Sequence, residues 1–308
     1  MCDLSRAVSL TGEHQDAIKY DHADPGTVFD ARNAIITAYP HRAVYPFSVG
    51  GAAAPERICV VGGIVAGDAP RGLTWAEMKD LFDGDGLRIA GNGWYGVNGL
   101  RVDNVSDGIA PRGTKDLYPA DGDGFEFRNL YFTYIRDDCV ENDEIAAGAI
   151  YDSLFDGCYT GISERPSSDS PQWRYPPPPG ETLLLDGVLL RLEAMPGPRG
   201  AGGTATGGHG QLFKWSEVAN RLTIKRSIFL VEQEPNSTSF FPFPPGTTTE
   251  DVTIVWLGDS TFTWKVPSGT IVTTDRAVWD EARADWLRRH GCSSFLECSR
   301  LYDPAPPG

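Results

Sequence analysis

The sequence lacks any run of apolar residues long enough to cross a bilayer, for which a helix needs roughly 18 of them. It is also short of positive charge, with 27 Lys and Arg against 42 Asp and Glu and a net charge of −15. Nucleic-acid binding depends on neutralising phosphates with basic side chains, so we expect no such partner and no membrane association. The net negative charge also disfavours a polyanionic substrate, unless a local cluster of Arg and Lys or a bound cation makes the electrostatic potential at the site positive. The oligomeric state stays open.

Several catalytic signatures are absent as well. The chain contains no G-x-S-x-G, no C-x-x-C pair, no H-E-x-x-H and no Walker motif, so the enzyme classes that depend on them are not indicated. Six cysteines are too few for a disulfide scaffold in a chain of 308 residues. Cys292 and Cys298 are close enough in sequence to form a disulfide. Cys139 and Cys158 are compatible with a bridge or with two stacked buried thiols.

What the sequence does contain is a repeated segment. Residues 102–113, 135–144 and 151–165 each read as a short strand of alternating apolar residues, a polar corner and a second short strand. Val105, Ile135 and Phe155 fall at matching places. Repetition at roughly 20–30 residues is typical of a solenoid, and strands without intervening helices favour a β-solenoid. Stacked units would align their polar corners in a row, which suits an extended chain such as a polysaccharide.

The remaining segments fit one elongated all-β domain, a single-stranded right-handed parallel β-helix. We predict an N-terminal cover over residues 1–26, the β-helix over 27–274, and a C-terminal capping helix with a tail over 275–308. The helix has Asp275 as its N-cap and Gly291 beyond its last turn. The Pro-rich stretch 167–181 and the Gly-rich stretch 197–210 predict long side loops that rise beside the groove as its walls.

The turns at residues 127–143 and 151–165, with the closing segment 254–291, resemble the bacterial right-handed parallel β-helix proteins of the pectate-lyase-like superfold. The resemblance covers residues 27–290 and implies the fold. It does not imply one activity, because this superfold hosts lyases, hydrolases, epimerases and non-catalytic tail proteins.

An acidic turn is the first candidate site. Asp137, Asp138, Glu141 and Asp143 lie within seven residues, and Asp107 lies one predicted turn before them. Carboxylates this close repel one another, so at least one should have a raised pKa or a cation partner. Glycoside hydrolysis needs one protonated and one ionised acid, and a Ca²⁺ site needs the same kind of oxygens. The alternative is structural, because Asp and Asn at solenoid corners often bond to the backbone.

Basic and aromatic side chains supply the other candidates. A guanidinium binds a carboxylate in a bidentate manner, and a Lys or Arg near carboxylates can act as the base in β-elimination. Gly208-His209-Gly210 with Asp137-Asp138 is similar to the site of polygalacturonase-type hydrolases, although the Asn-Thr-Asp of that family is missing. The predicted substrate-binding residues are Arg112, Arg136, Trp173, Tyr175, His209, Lys214 and Lys225.

The sequence therefore predicts a carbohydrate-active enzyme that cleaves a polysaccharide or oligosaccharide in a groove on the β-helix, by hydrolysis or β-elimination. Its predicted catalytic residues are Asp107, Asp137, Asp138, Glu141 and Arg165. Either no cofactor is required, or Ca²⁺ is bound by Asp138, Glu141 and Asp143. The alternative is a non-catalytic glycan-binding or tail-fibre-like structural protein. We expect an extracellular or periplasmic location, although no signal peptide follows Met1.

Overall fold

The computed structural model describes residues 2–38, 45–50, 57–81, 84–91, 93–112, 124–165, 182–196, 207–217, 219–233 and 243–298. Two α-helices occur in these ranges, α1 (Trp75–Leu81) and α2 (Ala277–Arg289), with a 3-10 turn at Leu4–Arg6. Neither helix is long and apolar enough to cross a membrane. The strands there are β1 (Val8–His14), β2 (Ile18–Tyr20), β3 (Val28–Ala38), β4 (Phe47–Val49), β5 (Cys59–Val61), β6 (Ile64–Gly67), β7 (Asp85–Ala90), β8 (Trp94–Asn98), β9 (Arg101–Asp103), β10 (Asp107–Arg112), β11 (Gly124–Arg128), β12 (Tyr131–Glu141), β13 (Gly148–Tyr151), β14 (Leu154–Glu164), β15 (Thr182–Asp186), β16 (Leu189–Leu192), β17 (Phe213–Trp215), β18 (Arg221–Val231), β19 (Thr248–Trp256) and β20 (Thr270–Thr273).

These strands pair in parallel and form three ladders. The first ladder contains β2, β4, β7, β10, β12, β14 and β17. The second contains β3, β5, β8, β11, β13, β15 and β18. The third contains β1, β3, β6, β9, β12, β14, β16, β18, β19 and β20. The molecule is therefore an all-β protein with few helices, and its parallel pairing is compatible with a β-helix solenoid.

Each ladder contributes one row of buried apolar side chains, and the three rows meet in one core. Side chains alternate between the two faces of a strand. Residues that are paired on neighbouring strands therefore point to the same face and stack on one another. The first row is Phe47, Leu87, Ile109, Val140, Ile162 and Phe213. The second is Phe29, Val60, Val97, Phe127, Ile150, Leu185 and Ile224. The third is Ile36, Val65, Val102, Phe132, Phe155, Leu190, Phe229 and Ile254.

A residue in the left-handed (positive φ) conformation turns the chain from the second ladder into the third at the same place in successive repeats. Glycine, asparagine and aspartate tolerate this positive-φ backbone best. The amide N–H of each of several corners donates to a carbonyl on the next repeat, as in Gly99 to Arg128 and Asp152 to Asp186. The corner residues are Gly62, Gly99, Asn129, Asp152, Gly187, Arg226 and Asp251.

The register differs from the one predicted on sequence. Ile135 pairs with Cys158 rather than with Phe155, and Phe155 pairs with Phe132. Both pairs share one register, so the predicted alignment was displaced by three residues, from Phe155 to Cys158; a separate irregularity follows, where the register of β12 against β14 shifts between Ile135 and Asp138. A bulge of this kind leaves the apolar alternation on both sides intact, so the sequence pattern does not show it.

Three disulfides link Cys2 to Cys59, Cys139 to Cys158, and Cys292 to Cys298. The last pair was predicted on spacing. For Cys139 and Cys158 the structure selects the bridge over two free thiols, because their strands are neighbours in the third ladder. The bridge between Cys2 and Cys59 was not predicted.

Helix α2 packs along the side of the strands. Trp279 and Trp286 are buried against outward-facing residues of five successive strands of the third ladder, Tyr131, Leu154, Leu189, Leu230 and Val255. The segment after the helix runs further along the ladder, where the Arg101 guanidinium donates to the Leu296 carbonyl at 2.7 Å. The apolar residues Phe262, Trp264 and Val266 pack against the main core after β19. The division into N-terminal cover, β-helix and cap stays a prediction.

Candidate functional site

The first ladder carries a stack of aspartates next to its apolar row. The segments Asp85-Gly86-Leu87 and Asp107-Gly108-Ile109 lie side by side, with Asp107 paired to Asp85 and Ile109 to Leu87. Ile109 also pairs with Val140, which brings Asp138 to the next level of the stack. The Asp138 amide donates to the Asp107 carboxylate at 3.0 Å. In-register pairing thus places one carboxyl group on each of three neighbouring strands.

Two more acids join this stack. Oxygen atoms of Asp107, Asp137 and Asp138 lie within 4.8 Å of one another, and those of Asp85, Asp107 and Glu141 do the same. These five residues are called the acidic cluster below. Asp138 is fully buried, and Asp85, Asp107 and Asp137 are nearly so. Glu141 is the acid that reaches the surface, with 20% of its side chain exposed.

Three cations lie among these acids. The Lys79 ammonium is 3.2 Å from the Asp107 carboxylate and 3.1 Å from that of Asp137. Arg112 contacts Glu141 at 2.5 Å and Asp85 at 3.6 Å, and Lys214 forms an ion pair with Asp138. Five carboxyl groups therefore face three cations, which leaves two negative charges if every acid is ionised.

This imbalance and the burial raise the pKa of several carboxyl groups. Burial raises the pKa of Asp107 to about 7, against the attraction of Lys79 and with added repulsion from Asp137 and Asp138. Burial also raises the pKa of Glu141 well above its usual value, and repulsion from Asp107 and Asp85 adds to this while Arg112 opposes it. The pKa of Asp85 is raised by burial in the same way. These raised pKa values favour the protonated form of Asp85, Asp107 and Glu141 at a higher pH than for an exposed carboxyl group.

A further buried carboxyl group lies just beyond the cluster. Glu164 is fully buried and accepts hydrogen bonds from the Asn142 side chain at 2.7 Å and from the Asn220 amide at 2.9 Å. The Asn142 and Asn220 side chains also bond to the Ala146 carbonyl. Burial raises the pKa of Glu164 to about 8, although these donors oppose the shift. The arrangement joins neighbouring repeats through buried polar bonds.

Several predicted site residues belong to the acidic cluster or contact it: Asp107, Asp137, Asp138, Glu141, Arg112 and Lys214. Arg136 lies in β12, directly before Asp137, and its buried guanidinium donates to the Leu73 carbonyl. Asp143 belongs to neither group of adjacent carboxyl oxygens, and it accepts a hydrogen bond from Ser163 at 2.9 Å.

The other predicted residues have different partners or fall outside the described ranges. Lys225 is on the second ladder, where it pairs with Glu250 at 3.2 Å. His209 is fully buried, with Nδ1 at 3.0 Å from the Gly210 carbonyl. Arg165 is exposed directly after β14. Trp173 and Tyr175, with the stretch 167–181 and most of 197–210, fall outside the described residues.

Sequence reasoning missed two members of the site, Asp85 and Lys79. Asp85 was detectable, because Asp85-Gly86-Leu87 and Asp107-Gly108-Ile109 repeat the same order of residue types. Lys79 carried no such signal, since α1 lies outside the repeats and its position over β12 follows from the tertiary structure.

No family model matches the chain, and no curated protein or solved structure shows significant similarity to it.

Proposed function

We propose that this protein is a carbohydrate-active enzyme that cleaves a polysaccharide or oligosaccharide at the acidic cluster, on the side of a right-handed parallel β-helix of the pectate-lyase-like superfold. The fold part of the proposal is supported by the three parallel ladders, the recurring left-handed corners and the single core. These features suit a solenoid whose neighbouring repeats stack in register.

One observation carries the enzymatic part, namely that buried carboxyl groups with raised pKa values lie in contact with carboxyl groups that are paired with lysines. A glycoside hydrolase needs a protonated carboxyl group to donate to the leaving oxygen and an ionised one to attack or to activate water. Glu141 suits the role of acid, because its pKa is raised and it reaches the surface. Asp137 and Asp138, which lie against Lys79 and Lys214, suit the ionised role.

β-Elimination with a bound cation is the second form of the same activity. The cluster offers carboxylate oxygens, the ligands that Ca²⁺ prefers, and a divalent ion would balance the two excess negative charges that the cluster carries when every acid is ionised. The ammonium of Lys79 lies on two of those acids, so Ca²⁺ at Asp107 and Asp137 requires Lys79 to move away. Arg112 and Lys214 would remain beside the site as a base or as anchors for a substrate carboxylate.

A non-catalytic glycan-binding protein is the competing function, and the burial of the cluster favours it. Asp138 and Lys214 form an ion pair with almost no exposed surface, as expected of a structural pair. The three disulfides fit an extracellular or periplasmic location for either function, because disulfides persist in oxidising compartments.

The experiment is a screen of neutral and acidic polysaccharides with two readouts, new reducing ends and the ultraviolet absorbance of an unsaturated uronate. Reducing ends alone identify a hydrolase, both signals together identify a lyase, and binding without either supports the glycan-binding protein. Glu141→Gln should lower the activity at least about a hundredfold, the scale of a general acid. Glu126→Gln is the matched control, since Glu126 pairs with Arg128 on the second ladder. Full activity in Glu141→Gln would contradict the assigned role.

A further inference from the structure

Helix α1 and the turn before it lie over the acidic cluster. This segment, residues 71–81, is called the α1 cover. From it Lys79 reaches Asp107 and Asp137, at 3.2 and 3.1 Å. From the strand below, Arg136 donates to the Leu73 carbonyl, and the Tyr134 hydroxyl donates to the Arg71 carbonyl at 2.5 Å. The cover thus contacts the two strands that carry the central acids of the site.

Several contacts that hold the cover are polar. Met78 is its one fully buried residue, while Leu73, Trp75 and Leu81 are partly buried. A hydrogen bond broken on opening is replaced by one to water, so its net loss is small, whereas lost apolar burial is not replaced. Lifting the cover therefore costs much less than separating two strands of the core.

The cover also holds its own shape. Thr74 and Glu77 form a capping box, in which the Glu77 carboxylate accepts from the Thr74 amide at 2.7 Å and the Thr74 hydroxyl accepts from the Glu77 amide at 3.2 Å. At the entry to the cover, Gly72 is exposed and has open space around it. A short helix with its own cap, joined through an unobstructed glycine, can move as one unit.

We propose that the α1 cover is a hinged lid, in which Lys79 pairs with Asp107 and Asp137 when the lid is closed and leaves them when it lifts to admit a ligand. The inference depends on the proposed function only for the identity of that ligand, because opening is measurable without one. Lifting would expose the carboxyl groups that are buried in the closed form. It would also release Arg136 from the Leu73 carbonyl, so that its guanidinium could donate to a hydroxyl or carboxylate of the ligand.

Hydrogen exchange of the intact wild-type protein, followed by mass spectrometry, tests the opening directly. The amides of residues 75–81 should exchange through a local opening, much faster than those of β12 and β14, which open only with the whole fold. Carbodiimide labelling of Asp107 and Asp137 should proceed at low urea, where β12 stays protected. Exchange of α1 only together with β12, or labelling only where the whole protein unfolds, would overturn the lid.

Lys79→Met tests the role of the ammonium, with Lys19→Met as the control because Lys19 is exposed on β2. We expect exchange in α1 and labelling of Asp107 to rise together by about tenfold or more, a size between those of surface and buried ion pairs. The control should change neither. Faster exchange in α1 without added labelling would mean that the helix merely frays, and a rise across all strands would make Lys79 a support of the whole fold. Both outcomes contradict the proposal, whatever the polysaccharide screen gives.

Discussion

At the scale of single residues, removing a cation from the acidic cluster should change the stability of the protein differently from removing an acid. Because acids outnumber cations there, losing a cation leaves more repulsion and losing an acid leaves less. We expect Lys214→Met to lower the free energy of unfolding by about 3–5 kcal/mol, the usual loss when one partner of a buried pair is removed. Asp138→Asn should cost about 1 kcal/mol or less, since relief of repulsion offsets the lost ion pair.

Urea unfolding of both variants checks this asymmetry, with Lys225→Met as the control. Lys225 is part-exposed and pairs with an exposed glutamate, so its loss should be within about 0.5 kcal/mol. A larger loss for Asp138→Asn than for Lys214→Met would show that the cluster is not short of positive charge.

The buried Glu164 predicts a pH dependence of stability. Burial raises its pKa from 4.5 to about 8, so the folded protein holds a proton that the unfolded chain releases. Its contribution is therefore fully present below pH 4.5 and is lost as the pH rises through about 8. Glu164→Gln cannot titrate, so its free energy of unfolding should fall less steeply than that of the wild type between these limits.

Urea unfolding at a series of pH values measures this slope. Glu281→Gln, on the exposed side of α2, should follow the wild-type profile. Parallel profiles for Glu164→Gln and the wild type would mean that Glu164 is ionised in the folded protein throughout, held by its three N–H donors.

The sequence revealed residues of the site where charge and repetition coincide. Asp107, Asp137, Asp138 and Glu141 stood out as acids at a predicted corner, and the fold brings them together. Lys79 did not stand out, because no local sequence feature indicates which strand a short helix between two repeats will cover. Pairing between distant segments is a tertiary property, and the spacing of residues along the chain predicts it poorly.

At the scale of elements, the alternation of apolar residues predicted the strands, while their exact register needed the structure. The register shift in β12 moves Asp138 relative to Ile135, and this irregular stretch holds three successive buried polar residues, Arg136 to Asp138. The buried apolar residues on either side fit a simple repeat. Two of the candidate acids, Asp137 and Asp138, therefore lie where the regular pattern fails, as expected when a site disturbs its scaffold.

Close stacking at the acidic cluster predicts an intolerance to added side-chain volume. A Cβ on Gly108 would lie 2.5 Å from the Cys139 carbonyl oxygen and 2.8 Å from the Phe132 ring, so strands β10 and β12 would have to separate. We expect Gly108→Ala to lower the free energy of unfolding by about 1–3 kcal/mol, the usual cost of overpacking. Gly72→Ala is the control, because nothing lies within 4 Å of the added carbon. Equal unfolding midpoints for the two variants would show that the strands can separate freely.

At the scale of the whole molecule, helix α2 joins strands that otherwise contact only their neighbours. In a stacked arrangement of this kind, stability is a sum of contacts between adjacent repeats, and unfolding can begin at either end. Trp279 and Trp286 pack against side chains from β12 to β19, and Arg289 pairs with Asp152 at 3.0 Å. A single element that binds several repeats forces them to unfold together.

This role of α2 predicts a change in cooperativity as well as in stability. Trp286 is fully buried and donates to the Asp152 carbonyl at 3.1 Å, so Trp286→Ala should lose about 3–5 kcal/mol, the usual cost of truncating a buried tryptophan. It should also lower the urea m-value, because repeats freed from the helix would unfold in separate steps. Trp264→Ala is the matched control, since Trp264 lies after β19 and packs against Trp256 and Phe262. That variant should lose stability with its m-value unchanged. If both variants keep the wild-type m-value, the strand ladders are cooperative by themselves and α2 adds only its own burial.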